Sequence, residues 1–148
     1  MDSRSLDLFV KIILEIDEIE SRKIEFHIDA DLWSESRSMR DLLLMPLIQI
    51  GELTAHFKDN EHISLFPDIP WRDIKGFRNV MVHGYGQIDP DSAWETATNG
   101  IAELRSTLLK DQEILATYKR ELELRNAFGN ASDKQDINAF LDELPSVE

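Results

Sequence analysis

The spacing of the apolar residues limits the fold of this 148-residue chain more than any other feature. Apolar side chains recur three or four positions apart along most of the sequence, as on one face of an α-helix. Leu6, Phe9, Ile13 and Ile16 begin this pattern. No segment sustains the two-residue alternation of a half-buried strand. The pattern predicts an all-α protein, an up-and-down bundle of four to five helices.

The first half of the chain predicts two long helices. The first begins after a cap at Ser3 or Ser5, and we expect Asp17 on it to lie in solvent together with the other acidic residues nearby. The second covers residues 36–57 and is apolar on more than one face, so it needs two or more neighbours, either within a bundle or across a dimer. Pro46 predicts a kink or a break in this helix.

The second half predicts a loop over residues 58–70, a third helix from Pro70 to about Gly84, and a further helix that Asp89 caps. That last long helix is expected to extend as far as Gly129. Ser132-x-x-Gln135 has the form of a capping box, which predicts a terminal amphipathic helix that docks on the bundle or on a partner. We therefore divide the chain into a bundle over residues 1–110 and a helical extension over residues 111–148.

Charge and composition exclude several classes of function. The chain has 16 Lys and Arg against 29 Asp and Glu, a net charge of −13, which argues against generic electrostatic binding to nucleic acid or anionic membrane. It has no cysteine, which excludes disulfide scaffolds, cysteine zinc sites and cysteine nucleophiles. His56 and His62 are expected to be exposed polar residues, and no metal or cofactor motif is present. The lack of a signal-peptide pattern or a long apolar run predicts a cytoplasmic protein.

One short segment carries a candidate active site. It contains Arg78, Asn79, His83 and Tyr85, in the pattern Arg-x4-His-x-Tyr. The Arg-x4-His spacing alone is weak evidence, since Arg22 and His27 show it too. The added tyrosine and asparagine make coincidence much less probable.

These residue types suit the cleavage of RNA, which carries its own nucleophile in the 2′-hydroxyl group. Cleavage then needs proton transfer, for which His83 is suited because histidine titrates near neutral pH. It also needs positive charge on the phosphate, which the fixed donors of Arg78 can supply. Asn79 could orient the phosphate or the histidine. This chemistry requires neither a metal nor a protein nucleophile.

Three segments resemble the HepT-like members of the HEPN family: residues 40–52, residues 70–85 and residues 88–105. Together they cover residues 40–109 well and residues 1–39 loosely. The resemblance implies an all-α homodimer that acts as a metal-independent endoribonuclease, the toxin of a toxin–antitoxin pair. It implies an antitoxin that is a small nucleotidyltransferase of the MNT type. It further implies that this partner adenylylates the motif tyrosine, which is Tyr85 here.

Helix geometry sets a condition on the motif. Residues five apart on a regular helix are separated by about 140°, so Arg78 and His83 would not share a face. Either the helix unwinds at Gly84, or a two-fold axis brings two copies of the segment together. We favour the dimer, with some unwinding.

A second function stays open from the sequence. The chain could be a non-catalytic HEPN-like module that binds a nucleotide or serves as a dimeric scaffold for the nucleotidyltransferase, and the net acidity slightly favours this. In that case Arg78 would pair with Asp73 or a helix carbonyl, His83 would interact with a helix dipole, and Tyr85 would be a packing aromatic.

Overall fold

The computed structural model of the chain describes residues 1–79, 89–129 and 131–147, without the side chains of residues 131–134. These residues form helices and no strands, so the prediction of an all-α bundle is confirmed. The α-helices in chain order are α1 Ser3–Glu25, α2 Ala30–Glu35, α3 Arg37–Thr54, α4 Glu61–Leu65, α5 Trp71–Gly76, α6 Pro90–Glu95, α7 Ile101–Leu108, α8 Gln112–Phe128 and α9 Ala131–Glu143.

Helix α1 is the centre of the bundle, because α3, α7 and α8 all pack against it. Its cap is Asp2, whose side chain accepts a hydrogen bond from the backbone N–H of Ser5, and not one of the two serines that the sequence suggested. The predicted apolar face is correct at Phe9, Ile13 and Ile16, which are almost completely buried. One hydrophobic cluster extends from this face to α8 and α9 and so includes residues on both sides of residue 110.

Helix α3 continues through Pro46, so of the two predicted alternatives, a kink or a break, the break does not occur. Proline has no N–H to donate to the carbonyl four residues earlier, which here belongs to Leu42. Arg22 of α1 replaces that donor: its Nη1 lies 2.7 Å from the Leu42 oxygen. An arginine of the neighbouring helix therefore satisfies the carbonyl that the proline leaves free.

The predicted loop over residues 58–70 contains helical structure, a 3₁₀ turn at Lys58–Asn60 followed by α4. Its His62 is buried, contrary to prediction. The imidazole stacks on Phe57 at 4.5 Å between ring centroids and meets the edge of Trp71 at 5.0 Å. Its Nδ1 has no hydrogen-bond partner among the described residues. Burial, with a smaller contribution from Lys75, lowers the pKa of His62.

The second half of the bundle is divided differently from the prediction. Asp89 caps α6 as expected, and a π-helical turn at Thr96–Gly100 joins α6 to α7. The helix then stops at Leu108, and α8 starts afresh after Asp111, whose side chain accepts from two backbone N–H groups. The predicted stop at Gly129 is correct.

Asp17 is buried, which corrects the prediction that it is solvated. Arg105 of α7 donates from Nε to its Oδ1 at 2.8 Å, and the hydroxyl of Tyr118 on α8 donates to its Oδ2. Arg105 also donates from Nη2 to the Tyr118 oxygen at 3.0 Å. Burial raises the pKa of Asp17, while the adjacent guanidinium opposes that rise. The closed network joins three helices at the centre of the bundle.

The terminal helix α9 packs on α8. Ile137 is buried, and the ring of Phe140 lies 5.6 Å from the Arg105 guanidinium carbon. The helix begins at Ala131, one residue before Ser132, and the Ser132 side chain of the predicted capping box lies outside the described part of the chain. The sequence left either the bundle or a partner as the surface on which this helix docks, and in the structure the helix docks on the bundle.

None of the helices among the described residues is both long enough and apolar enough to span a membrane.

Candidate functional site

Helix α5 carries the chain toward the motif. Trp71 begins it, and its indole N–H donates to the carbonyl of Phe66 at 2.9 Å. The helix ends at Gly76, earlier than predicted, and the N–H of Arg78 bonds to the carbonyl only three residues before it. The 140° separation assumed a regular helix through Arg78. The angle depends on residues 78–83, of which only Arg78 and Asn79 are described, and Asn79 is again helical, so the condition on Arg78 and His83 stays a prediction.

A close backbone contact fixes the start of the motif against α3. A Cβ atom added at Gly51 would lie 2.9 Å from the carbonyl oxygen of Ile74 and 3.1 Å from the backbone nitrogen of Arg78. Only glycine allows this approach without a backbone shift, because any side chain would collide with main-chain atoms. Gly51 thus places the backbone of Arg78 directly against α3.

The next residue of α3 contacts the Arg78 side chain. Glu52 Oε2 accepts a hydrogen bond from Arg78 Nε at 3.0 Å. Its other oxygen, Oε1, lies 3.5 Å from Nε2 of His56, one helical turn further on. Arg78 and Glu52 keep 41% and 43% of their side-chain surface exposed, so a ligand in solvent can reach the guanidinium. The sequence had suggested Asp73 or a helix carbonyl as partner, and the structure shows Glu52 instead.

The remaining motif residues are only partly described. Asn79 is exposed next to Arg78. His83 and Tyr85 lie outside the described residues, as does the predicted helix end at Gly84. The structure therefore places Arg78 and Asn79 together at the end of α5, and the grouping of all four motif residues stays a prediction.

The second Arg-x4-His pair has a structural role. Arg22 is bound to the Leu42 carbonyl through Nη1 and to Glu18 through Nε, at 2.7 and 2.8 Å. His27 follows the end of α1 with a positive φ of 51°. The two matching patterns are thus separated by context: Arg22 supports a helix, and Arg78 lies half-exposed beside a carboxylate.

A cavity of about 220 Å³ lies next to Phe77, between α3, α5 and α7. Its walls include apolar side chains such as Leu47 and Leu104, together with Asp73 and Glu103. The carboxylates would repel a phosphate, so this cavity does not suit the backbone of RNA. The exposed end of Arg78 suits it better. Among the described residues, no group of three or more His, Asp or Glu side chains could hold a metal ion.

Glu52 is the site residue that the sequence reasoning missed. It is the last residue of the segment 40–52 that carries the resemblance, and it follows a glycine inside a helix, where glycine is unfavourable unless a close contact requires it. A glycine inside a predicted helix, followed directly by a glutamate, was the signal in the sequence that could have indicated this residue. The partner could not be identified, because Glu52 and Arg78 are 26 residues apart.

The all-α bundle and the half-exposed Arg78 after α5 agree with the resemblance to the HEPN family, and known proteins with similar sequences support it. The family model described as "Ribonuclease HepT-like" matches residues 12–110. The chain therefore belongs to the ribonuclease HepT-like family and is a HEPN-type endoribonuclease.

Individual relatives are similar over different lengths. The protein "Putative RNase MJ1380" of Methanocaldococcus jannaschii is 28% identical over 71% of this chain and 94% of its own. "Gamma-glutamylcyclotransferase and putative RNase MJ0434" of the same organism is 21% identical over 97% of this chain and 64% of its own. "Probable ribonuclease HepT" of Thermococcus cleftensis is 31% identical over 41% of this chain and 54% of its own. No solved structure matches the chain.

Proposed function

We propose that the chain is the toxin of a toxin–antitoxin pair and cleaves RNA without a metal, through Arg78 and His83. The observation that carries the mechanism is the exposed guanidinium of Arg78 at the start of Arg-x4-His-x-Tyr, within the family match. The charge of arginine is permanent, so it can hold a phosphate at any physiological pH.

The proposed reaction uses the 2′-hydroxyl of the RNA. The 2′-oxygen attacks the adjacent phosphorus and gives up its proton, the bond from phosphorus to the 5′-oxygen breaks, and the 5′-oxygen takes a proton. His83 serves this proton transfer, and Arg78 stabilises the charge on the phosphate oxygens. Asn79 orients the phosphate or His83. The products are a 2′,3′-cyclic phosphate and a free 5′-hydroxyl.

RNA cleavage by the purified chain in EDTA tests this proposal. The wild type should cleave, and His83→Ala and Arg78→Ala should each lose activity while remaining folded. Arg78 is half-exposed at a helix end, so its removal leaves the hydrophobic cluster intact. Activity that EDTA abolishes and magnesium restores would contradict the mechanism. Inactive wild type that binds a nucleotide or the partner would favour the non-catalytic alternative.

We also propose that the chain acts as a homodimer in the cytoplasm. Helix α3 supports a dimer, because its Met45 is 51% exposed and Leu42, three residues earlier, is only partly buried. A second copy would cover these side chains. Light scattering should give twice the chain mass at micromolar concentration, and Met45→Glu should shift the protein to a monomer. A wild-type monomer would contradict the proposal.

The proposed antitoxin is an MNT-type nucleotidyltransferase that adenylylates Tyr85. Expression of the chain alone should arrest growth, and coexpression with a nucleotidyltransferase from the adjacent reading frame should restore it. Mass spectrometry should then find one AMP group on Tyr85, and Tyr85→Phe should escape modification. Growth arrest that His83→Ala does not relieve would separate toxicity from RNA cleavage.

A further inference from the structure

We propose that Glu52 is a positioning residue for Arg78: its carboxylate holds the guanidinium at Nε, so that the terminal nitrogens point toward an RNA phosphate. The inference rests on the proposed function, in which Arg78 binds that phosphate. It adds a residue outside the Arg-x4-His-x-Tyr motif to those that the reaction depends on.

The first support is that α3 holds Arg78 at two points through consecutive residues. Gly51 allows the Arg78 backbone nitrogen to approach within 3.1 Å of the position that a Cβ would occupy. Glu52 then reaches the other end of the same residue, with Oε2 at 3.0 Å from Nε. A backbone contact and a side-chain contact together fix both the origin and the direction of a long, flexible side chain.

The second support is the atom that Glu52 uses. Its bond is made to Nε, which lies on the stem side of the guanidinium. The fork of terminal nitrogens that best matches two phosphate oxygens is not taken by this carboxylate. An arginine held in this way loses less side-chain freedom when a phosphate binds, since it is already ordered.

The third support is that the ion pair between Glu52 and Arg78 contributes little to the stability of the fold. Both side chains keep more than two fifths of their surface exposed, and ion pairs this exposed contribute little to stability. Removing the Glu52 charge should therefore leave the fold intact and allow the effect on the reaction to be measured. The second oxygen faces His56 at 3.5 Å, so a control at that residue is needed.

The test compares kcat and KM for RNA cleavage in the full-length wild type, Glu52→Gln and two controls. Glu18→Gln removes the same charge from another exposed pair, in which an arginine Nε lies 2.8 Å from a glutamate oxygen. His56→Ala removes the other neighbour of Glu52. We expect Glu52→Gln to lower kcat at least tenfold with KM unchanged or lower, because the loose arginine still attracts RNA. Both controls should remain within about twofold of wild type.

Two outcomes would overturn the inference. A lower KM with kcat unchanged or raised would show that Glu52 competes with the phosphate. An unchanged kcat and KM would show that the contact has no role in the reaction. Binding of a 2′-O-methyl RNA of the same sequence, which cannot react, checks that substrate affinity survives in Glu52→Gln.

An NMR measurement separates this inference from the proposed function. The Nε–H resonance of Arg78, assigned by its absence in Arg78→Lys, should exchange slowly with solvent in the wild type and rapidly in Glu52→Leu, which has no oxygen to accept from Nε. Rapid exchange in both would refute the positioning contact even if the protein cleaves RNA. Slow exchange only in the wild type, in a protein that does not cleave RNA, would support the contact and refute the proposed function.

Discussion

The contact between Arg22 and the carbonyl that Pro46 leaves free can be tested by a double-mutant cycle. Arg22→Met keeps most of the apolar stem but removes the donor 2.7 Å from the Leu42 oxygen. A hydrogen bond to a charged group contributes about 1.5–3 kcal/mol, and the partly exposed setting places the expected loss near the lower end, about 1.5 kcal/mol. For a chain of this size that corresponds to a fall in Tm of about 3–6 °C.

The Pro46→Ala background gives the decisive comparison. Alanine supplies the N–H that proline lacks, so the Leu42 carbonyl regains a helical partner and no longer depends on Arg22. In that background Arg22→Met should cost less than about 0.5 kcal/mol, which gives a coupling energy of about 1 kcal/mol. Urea unfolding followed by far-UV circular dichroism measures all four proteins.

Glu18→Gln is the control for the other contact of Arg22, an exposed ion pair that should be worth less than about 0.5 kcal/mol. If Arg22→Met costs the same with proline and with alanine at position 46, the two residues are independent. The account of how α3 accommodates its proline would then be refuted.

Three further predictions concern other contacts. Gly51→Ala should destabilise the fold by about 1–3 kcal/mol in urea unfolding and lower RNase activity, because its Cβ meets a main-chain oxygen at 2.9 Å. Gly76→Ala, whose Cβ meets no atom of the described residues within 4 Å, should be neutral or stabilising, and equal effects would refute the close contact. Tyr118→Phe should cost about 1–3 kcal/mol in the same assay, since Oδ2 of the buried Asp17 loses its donor while Arg105 still binds Oδ1, and a neutral effect would refute the network. The free energy of unfolding should fall as the pH is lowered from 6.5 toward the depressed pKa of folded His62, because the unfolded state takes up the proton first. The slope that one such group contributes is at most about 1.4 kcal/mol per pH unit. This contribution should vanish in His62→Phe and persist in His56→Phe.

The sequence predicted the structure best where a local rule applies. The cap at Asp89 before α6 and the stop at Gly129 after α8 lie where helix-capping preferences predict them. Each decision depends on a few neighbouring residues, so it can be made without knowing the tertiary fold.

The sequence failed where distant residues decide the outcome. Asp17 looked solvated among other acidic residues, but its partners Arg105 and Tyr118 are 88 and 101 positions away. The helix through Pro46 was expected to kink or break because nothing local supplies a donor for the freed carbonyl. In both cases a side chain from another helix supplies a hydrogen bond that the local sequence does not show.

The candidate site shows the same division. Arg78 and the other motif residues could be predicted as site residues, because they lie within eight consecutive positions of the sequence. Glu52, which contacts Arg78 across the α3–α5 packing, required the structure. The close approach at Gly51 explains why this contact forms, and a lone glycine in a helical pattern is the only trace of it in the sequence.

Cleavage of a single-site RNA in EDTA tests whether the chain cuts RNA through the 2′-hydroxyl of the RNA and without a metal. The substrate is made in two forms, one with an ordinary ribose at the cleaved linkage and one with 2′-deoxyribose there. We expect the wild type to cleave only the ribose form and to leave a 2′,3′-cyclic phosphate, and we expect Arg78→Ala and His83→Ala to cleave neither form. Cleavage of the deoxyribose form at the same linkage, or full activity in either variant, would contradict this mechanism.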